Sequence, residues 1–180
     1  MTWRAGLLAA ALALTACAPA PSAPSPPSSS TAVHEVTVTR VVDGDTVVVT
    51  APSGAETKVR VLAIDTPETV APARPVECGG PEASKFATDT LLYQIVELIP
   101  DPTQDPVDRW GRALAYVELR SGPSAGQDYS VMAAANGMAR SYVYDKTYPP
   151  QRIDEIRAAE RRAVSQRLGL WGHCLDGPTR

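Results

Sequence analysis

The sequence predicts an α+β fold in which a small five-stranded β-barrel carries about three α-helices. Residues 33–64 contain three runs rich in Val and Thr, separated by turn signals at 43–44 and 52–54, as expected for consecutive strands. Two more apolar runs follow at 95–99 and 113–119. Segments with helix-start residues or helical apolar spacing lie between and after these strands.

The strands are predicted from alternating polarity and from the turn residues that end each run. In the third strand, odd-numbered residues from Val59 to Ala63 are expected on one face, and even-numbered residues from Arg60 to Ile64 on the other. The predicted bounds are Val33–Val42, Thr46–Thr50, Thr57–Ile64, Ile95–Ile99 and Ala113–Leu119.

The first helix is predicted to open at 79–81, because Pro81 suits a first turn and Glu82 suits the positive end of a helix. Its apolar positions are predicted as Phe86, Thr90, and Leu92 or Tyr93.

The other two helices follow the fifth strand. Asp128 is expected to cap a helix through Met138, and residues 140–144 to return as extended chain. The last helix is expected to start at 149–150, with an apolar stripe made of Ile153, Ile156, Ala159, Ala163, Val164 and Leu168.

Three segments bring together charged residues suited to phosphate chemistry. They read VDGDTV at 42–47, VRVLAIDTPET at 59–69 and DRWGRALAY at 108–116. Together they supply two acidic turns and the guanidinium groups of Arg60 and Arg112, which are the groups that a metal-dependent phosphodiesterase needs.

These segments, with GPEASKF at 80–86 and YVY at 142–144, resemble the signature blocks of staphylococcal-nuclease-like (thermonuclease) proteins, in the same order. The resemblance runs from about Val36 to Trp171. It implies an OB-fold and a Ca²⁺-dependent endonuclease that hydrolyses DNA and RNA to 3′-phosphate products with little sequence specificity.

The acidic residues are the candidate metal ligands. All the candidate donors are oxygens, so the ion is expected to be hard, either Ca²⁺ or Mg²⁺. By resemblance, Asp45 and Asp65 coordinate Ca²⁺, the backbone carbonyl of Thr66 completes the protein ligands, and Asp43 supports them from nearby. For residues 43–45 taken alone, a plain hairpin turn is the alternative.

The resemblance also assigns the catalytic roles. Glu68 is expected to act as the general base on a water molecule, or only to position that water; a solvated turn glutamate is the alternative. Arg60 and Arg112 are expected to clamp the scissile phosphate, because a guanidinium can donate two parallel hydrogen bonds to it.

By resemblance, Tyr142 and Tyr144 are expected to line the nucleotide pocket. They alternate on an extended segment and so face the same side; an ordinary pair of half-buried strand tyrosines is the alternative. Arg109 is expected to meet a terminal phosphate, and Trp110 and Trp171 are interpreted as packing residues.

Residues 1–16 are predicted to be a lipoprotein signal peptide. The uninterrupted apolar run at 5–14 is too short to span a bilayer. It ends in LTAC at 14–17, which resembles the bacterial lipobox, so Cys17 is expected to be lipidated. An ordinary signal peptide, which would leave the protein secreted, is the alternative.

Residues 17–33 are expected to be the lipidated cysteine and a tether rich in Pro, Ser and Ala, and residues 34–177 the nuclease-like domain. The tether has no charge from 18 to 31 and only Ala as an apolar residue, so it is not expected to fold. The chain is therefore expected to be exported and anchored outside the cytoplasmic membrane.

Cys78 and Cys174 remain once Cys17 is assigned to the anchor. An even pair in an oxidising compartment is expected to form a disulfide, and two unpaired thiols are the alternative. A zinc site is disfavoured because His173 and the two cysteines lack a fourth ligand and the usual paired spacing.

The net charge is −3, with a pI near 5.4, whereas non-specific nucleic-acid binders are more often basic. Arg74 is the only basic residue between 70 and 80, so this loop supplies few phosphate contacts. These features disfavour tight binding to long duplexes.

The alternative function is a non-catalytic, nucleic-acid-binding OB-fold lipoprotein at the cell surface. The protein is expected to be a monomer.

Overall fold

The computed structural model describes residues 35–69 and 75–174. The predicted signal peptide, the tether with Cys17, and the domain boundaries at 34 and 177 lie outside these ranges. Within the described ranges the strands are β1 (Glu35–Val41), β2 (Thr46–Thr50), β3 (Glu56–Val61), β4 (Ile64–Asp65), β5 (Ile95–Ile99), β6 (Ala113–Leu119) and β7 (Arg140–Ser141). The helices are α1 (Gly80–Leu91), α2 (Tyr129–Ala135), α3 (Ile153–Gln166) and α4 (Leu170–His173).

Five of these strands close into a barrel, hydrogen-bonded in the order β1, β2, β3, β6 and β5. Neighbouring strands are antiparallel except β3 and β6, which run parallel with Val59 opposite Ala113. Closure removes the free edges that an open sheet would expose. The predicted five-stranded α+β OB-fold is confirmed.

Valine forms much of the barrel core. Burying one such side chain is worth about 1.5–3 kcal/mol relative to leaving it exposed, and its branched Cβ suits the pleated surface of a strand. The valines exposed by 1% or less are Val38, Val47, Val49, Val59, Val61, Val96 and Val117.

The third strand is shorter than predicted. β3 ends at Val61, and Ala63 adopts the left-handed conformation with φ 64° before β4 begins and pairs with β7. The predicted alternation is wrong from Leu62 onward, because this run is buried throughout and therefore has no two-residue period. The turn at Ala63 places Asp65 on a separate short strand.

The first two helices lie where they were predicted, with differences in detail. α1 buries Ala83, Ala87 and Leu91, whereas Tyr93 lies beyond the helix and is 74% exposed, so assigning Tyr93 to the apolar face was wrong. Asp128 caps α2 by accepting a hydrogen bond from the backbone N–H two residues later. α2 ends at Ala135, before the predicted end at 138.

The last predicted helix, α3, begins at Ile153 rather than at 149–150. Its buried residues are Ile153, Ile156, Ala159 and Ala163, as predicted. Val164 and Leu168 are 44% and 38% exposed, so the end of the predicted stripe is wrong. Arg167 leaves the helix in the left-handed conformation, which takes Leu168 off the apolar face.

The sulfur atoms of Cys78 and Cys174 lie at disulfide-bonding distance. This bond joins the segment before α1 to the residue after α4, a short helix that the sequence did not predict. In the part of the chain that the structure describes, no helix is both long enough and apolar enough to cross a membrane.

Candidate active site

The predicted site residues meet in one open cleft of about 920 Å³. Its walls come from the turn before β2, from β3 and β4 with the residues after them, from the loop that leads into β6, and from the chain after β7. All ten residues that were given roles in metal binding, catalysis or substrate binding line this cleft: Asp43, Asp45, Arg60, Asp65, Thr66, Glu68, Arg109, Arg112, Tyr142 and Tyr144.

Asp45 is buried where the two acidic turns meet and is only 6% exposed. Its Oδ2 accepts hydrogen bonds from the backbone N–H and the hydroxyl of Thr66, at 3.0 and 3.1 Å. Its Oδ1 accepts one from the hydroxyl of Thr46 at 3.0 Å. These contacts hold the turn before β2 against the turn after β4, so the two acidic segments lie side by side.

Close approach of these turns requires glycine at position 44. A Cβ on Gly44 would lie 2.8 Å from the side chain of Thr66, which is closer than real Cβ contacts come. The glycine between Asp43 and Asp45 therefore allows the two acidic turns to touch.

Two hydroxyls at the start of α2 donate hydrogen bonds to backbone carbonyls in or near the acidic turns. Tyr129 donates a hydrogen bond to the carbonyl of Gly44 at 2.7 Å, and Ser130 donates one to the carbonyl of Leu62 at 2.9 Å. Burial, together with the charges of Asp45 and Asp43, raises the pKa of Tyr129 well above its usual value, so its hydroxyl stays protonated and remains a donor. The sequence reasoning missed both residues, because they lie outside the motif blocks.

Asp43 lies beside Asp45 and accepts a hydrogen bond from its backbone N–H at 3.0 Å. Burial first, and then the charge of Asp45, raise the pKa of Asp43 to about 6. Two carboxylates this close disfavour each other's charged form, and a nearby positive charge relieves that repulsion. The turn is therefore electrostatically suited to a cation.

Arg60 is held in a fixed orientation between two carboxylates. Its Nη2 lies 3.1 Å from oxygens of both Asp45 and Asp65, and its Nη1 donates to the carbonyls of Val61 and Ile64, each at 2.9 Å. The side chain is 14% exposed. Because these contacts already restrict the guanidinium, little further rotational freedom would be lost if it bound an anionic group.

Arg112 is held in a similar way by contacts with Asp108 and Thr46. Its Nε donates to Asp108 at 2.6 Å, and its Nη1 lies 3.4 Å from the hydroxyl of Thr46. Burial alone would raise the pKa of Asp108, but hydrogen bonds from Arg112 and Trp110 and the charge of Arg112 lower it. Asp108 therefore stays ionised and orients Arg112, a role that the motif alone did not reveal.

The sequence predicted that Trp110 is a packing residue. This prediction is wrong, because Trp110 is 65% exposed. The guanidinium carbons of Arg109 and Arg112 lie 4.1 and 5.0 Å from the centre of its ring, which is within range for cation–π attraction. The indole lines the cleft because the tight turn at 108–112 projects it outward. Trp171 is half-buried, with the guanidinium of Arg140 at 5.8 Å from its ring.

Glu68 is half-buried on the segment that follows β4. Its Oε1 accepts a hydrogen bond from the backbone N–H of Thr69 at 3.0 Å. Its own backbone N–H donates to Oε2 of Glu77 at 3.1 Å, and its carbonyl accepts from the N–H of Glu77 at 2.9 Å. Glu77 was not predicted to be near the site, because it belongs to none of the motif blocks.

Tyr142 and Tyr144 line the cleft on the chain that follows β7. The backbone N–H of Tyr142 donates to the carbonyl of Ala63 at 2.8 Å, so the tyrosine is attached to the turn before Asp65. Tyr144 is 81% exposed, which rules out the half-buried alternative for this residue. An exposed aromatic face at a cleft is suited to stacking on a base.

A metal ion was predicted among the acidic residues. The described residues contain no group of three or more His, Cys, Asp or Glu side chains arranged to hold one. Asp45 and Asp65 nevertheless converge, because each places an oxygen 3.1 Å from the same nitrogen of Arg60. The oxygen-only donors fit a hard cation, and Arg60 lies where the two carboxylates meet.

Comparison with known proteins identifies the family of this chain. Residues 58–173 match the family model described as staphylococcal nuclease homologue. The chain belongs to this family. It is 39% identical over 137 residues to a thermonuclease of Staphylococcus intermedius, with 74% of each chain covered. It is 36% identical over 136 residues to a thermonuclease of Staphylococcus hyicus, with 76% of this chain and 75% of that one covered.

A third relative from the same comparison is longer. The SPbeta prophage-derived endonuclease YokF of Bacillus subtilis is 36% identical over 138 residues, which cover 76% of this chain and 44% of that protein. The family match includes Arg60, Glu68 and Arg112 but begins after Asp43 and Asp45. The position of these two aspartates in the cleft is therefore known from the structure, and the role of each site residue stays a prediction.

Proposed function

We propose that this member of the staphylococcal nuclease family is a Ca²⁺-dependent endonuclease that hydrolyses DNA and RNA and leaves 3′-phosphate ends. One observation carries the proposal: the guanidinium groups of Arg60 and Arg112 line the same cleft as the carboxylates of Asp45, Asp65 and Glu68. The names of the relatives, two thermonucleases and an endonuclease, support the same class of reaction.

The two arginines bind the scissile phosphate. Each is oriented before substrate arrives, Arg60 by Asp45 and Asp65, and Arg112 by Asp108. Fixed positive groups in a partly buried site stabilise the negative charge that develops on the phosphoryl oxygens, and removing one such donor typically costs about 10²–10³ in kcat.

Glu68 accepts a proton from the attacking water at one of its carboxylate oxygens. The water oxygen then bonds to phosphorus, and the bond between phosphorus and the 5′ oxygen breaks. The 5′ oxygen takes up a proton from solvent as it leaves, so the phosphate remains on the 3′ oxygen of the preceding nucleotide, and Glu68 returns its proton to solvent. Pro67 supports this role, because its fixed φ directs the chain as it enters Glu68.

Asp45 and Asp65 would hold Ca²⁺ through their carboxylates, and Thr66 through its backbone carbonyl, with Asp43 beside them. When bound, the ion supplies positive charge that polarises the phosphate. The crowded carboxylates and the raised pKa of Asp43 support a cation at this position.

Tyr142 and Tyr144 hold the nucleotide beside the scissile phosphate, and Arg109 meets a terminal phosphate. The exposure of Tyr144 and its position on the cleft wall support stacking on an unpaired base.

The chain is exported, lipidated at Cys17 and held at the outer side of the cell membrane, where the Cys78–Cys174 bond forms. The lipobox-like end of the apolar run at 5–14 supports the anchor. The position of both cysteines at bonding distance supports an oxidising compartment.

The experiment that tests the function is cleavage of single-stranded DNA by the purified protein in Ca²⁺ or in EGTA. Cleavage is expected only in Ca²⁺, with product ends that a 3′-phosphatase can modify. Glu68→Gln should lose most of the activity, while the matched control Glu82→Gln, at an exposed position on α1, should keep it.

If the folded protein did not cleave DNA in the presence of Ca²⁺, the proposed nuclease activity would be wrong. If that protein still bound single-stranded DNA, a non-catalytic nucleic-acid-binding function would take the place of the nuclease proposal.

A further inference from the structure

Glu77 is joined to Glu68 by two hydrogen bonds that run in opposite directions. Oε2 of Glu77 accepts from the backbone N–H of Glu68 at 3.1 Å. The backbone N–H of Glu77 donates to the carbonyl of Glu68 at 2.9 Å. A bond that involves a carboxylate is roughly twice as strong as one between neutral groups. Glu77 therefore holds the backbone of Glu68 on both its donor and its acceptor side.

The backbone of Glu77 is itself anchored at two places. The next residue, Cys78, lies at disulfide-bonding distance from Cys174, which follows α4. The carbonyl of Glu77 accepts a hydrogen bond from the N–H of Gly80, the first residue of α1, at 3.0 Å. Glu77 is thus attached to both the C-terminal helix and the start of α1.

The start of α1 also lies directly against the segment that carries Glu68. A Cβ on Gly80 would lie 2.6 Å from Cγ2 of Thr69 and 3.0 Å from the carbonyl oxygen of Glu68. Because this contact admits only glycine at position 80, the backbone at 68–69 has little room to shift toward the helix.

We propose that Glu77 is a positioning residue for Glu68, so that the C-terminal helix, through the adjacent disulfide, helps to set the place of the general base. The inference rests on the proposed function. Glu77 does not line the described cleft and touches Glu68 through the backbone, so it acts on the reaction only through Glu68. A displacement of about 1 Å in a catalytic group can lower a rate about 100-fold.

The chain offers variants that separate positioning from general stability. Glu77→Ala removes the acceptor for the N–H of Glu68. Glu77→Gln keeps a carbonyl oxygen that can accept the same hydrogen bond, although without the charge. Glu82→Ala removes an exposed glutamate five positions further along the chain and serves as the control.

The experiment measures kcat and KM on single-stranded DNA in Ca²⁺ for the wild-type protein and these three variants, with the melting temperature of each. Glu77→Ala is expected to lower kcat about tenfold or more and to change KM less than about twofold, because Arg60 and Arg112 stay in place. Glu77→Gln should restore most of kcat, and Glu82→Ala should match the wild type.

A second readout tests the contact itself, without activity. Amide hydrogen exchange at Glu68, followed by NMR, should become at least about tenfold faster in Glu77→Ala, while exchange in the barrel strands stays unchanged. If the variant merely weakened the fold, exchange in the barrel strands would rise as well and the melting temperature would fall.

The possible outcomes are distinct. An active wild-type protein with unchanged kcat in Glu77→Ala would overturn this inference and leave the nuclease intact. The inference would also be overturned if kcat fell in Glu77→Ala and stayed equally low in Glu77→Gln. An inactive wild-type protein would refute the proposed function and, with it, the role of Glu77.

Discussion

Asp108 binds Arg112 through both of its carboxylate oxygens. Oδ1 accepts a hydrogen bond from the backbone N–H of Arg112 at 2.9 Å, and Oδ2 accepts one from Nε at 2.6 Å. The same aspartate therefore shapes the turn and points the guanidinium into the cleft.

Asp108→Asn should lower kcat about tenfold to a hundredfold. The amide oxygen can still accept from the backbone N–H, so the turn should survive. The amide nitrogen is a donor and cannot pair with Nε of Arg112, so the guanidinium loses its orientation. Steady-state cleavage of single-stranded DNA measures the effect. Asp154→Asn, at a side chain that is 94% exposed, is the control, and equal kcat in the two variants would contradict the prediction.

Ca²⁺ should stabilise the folded protein through Asp45. A ligand that binds only the folded state adds about 2.7 kcal/mol when its concentration is 100 times its Kd. The melting temperature should therefore rise with Ca²⁺ and return to its starting value in EGTA. Asp45→Asn should abolish most of this rise. If Ca²⁺ raised the melting temperature of Asp45→Asn as much as that of the wild type, the ion would have to bind at another position.

Asp101 should stabilise the fold at neutral pH and lose that effect in acid. The residue is 4% exposed and accepts hydrogen bonds from the hydroxyl of Tyr116 at 2.8 Å and the backbone N–H of Gln151 at 2.7 Å. Burial alone would raise the pKa of Asp101, but these bonds and two from Thr103 outweigh it and lower that pKa.

A carboxyl group with a lowered pKa in the folded state stabilises the protein above its unfolded pKa, about 3.9. That contribution is lost as the pH falls through the folded pKa. Asp101→Asn should therefore reduce the free energy of unfolding by about 1–3 kcal/mol at pH 7, and by less below pH about 3. Urea unfolding at both pH values measures this. A difference that does not change with pH would show that charge at Asp101 is unimportant.

Reduction of the bond between Cys78 and Cys174 should lower the free energy of unfolding. The two cysteines are 96 residues apart, and closing a loop of that size is worth about 4–5 kcal/mol in the chain-entropy model. Urea unfolding with and without dithiothreitol measures the loss. The double variant Cys78→Ser, Cys174→Ser should be equally weakened and should not respond to the reductant. An equal stability of the oxidised and reduced proteins would contradict the prediction.

Several barrel strands are predictable from the sequence at the bounds that the structure shows. β2, β5 and β6 match their predicted ranges, because each is an apolar run that ends at residues unsuited to a strand. The break at Ala63 was not predictable. Residues 61–64 are all buried, and a run buried throughout has no periodicity to mark where one strand ends and the next begins.

The candidate site shows the same division. The motif blocks indicated Asp45, Arg60, Glu68 and Arg112, and the structure places all four on one cleft. The packing role predicted for Trp110 was wrong, because the sequence does not show whether a turn directs an aromatic side chain toward the core or toward solvent. Glu77 and Tyr129 were missed, because each acts through a backbone contact that any polar side chain of suitable length could make.

By itself, the sequence determined the positions of most barrel strands and of the three longer helices, and which types of side chain are available for phosphate chemistry. Local spacing and turn residues are sufficient for both. The tertiary structure alone decided which of those side chains meet. Asp45 contacts Thr66 across 21 residues, and Arg112 contacts Thr46 across 66. Such contacts depend on the register of β2 with β3, on the parallel pairing of β3 with β6 and on closure of the barrel. The sequence does not reveal these pairings, because hydrophobic periodicity along one strand carries no information about the strand beside it.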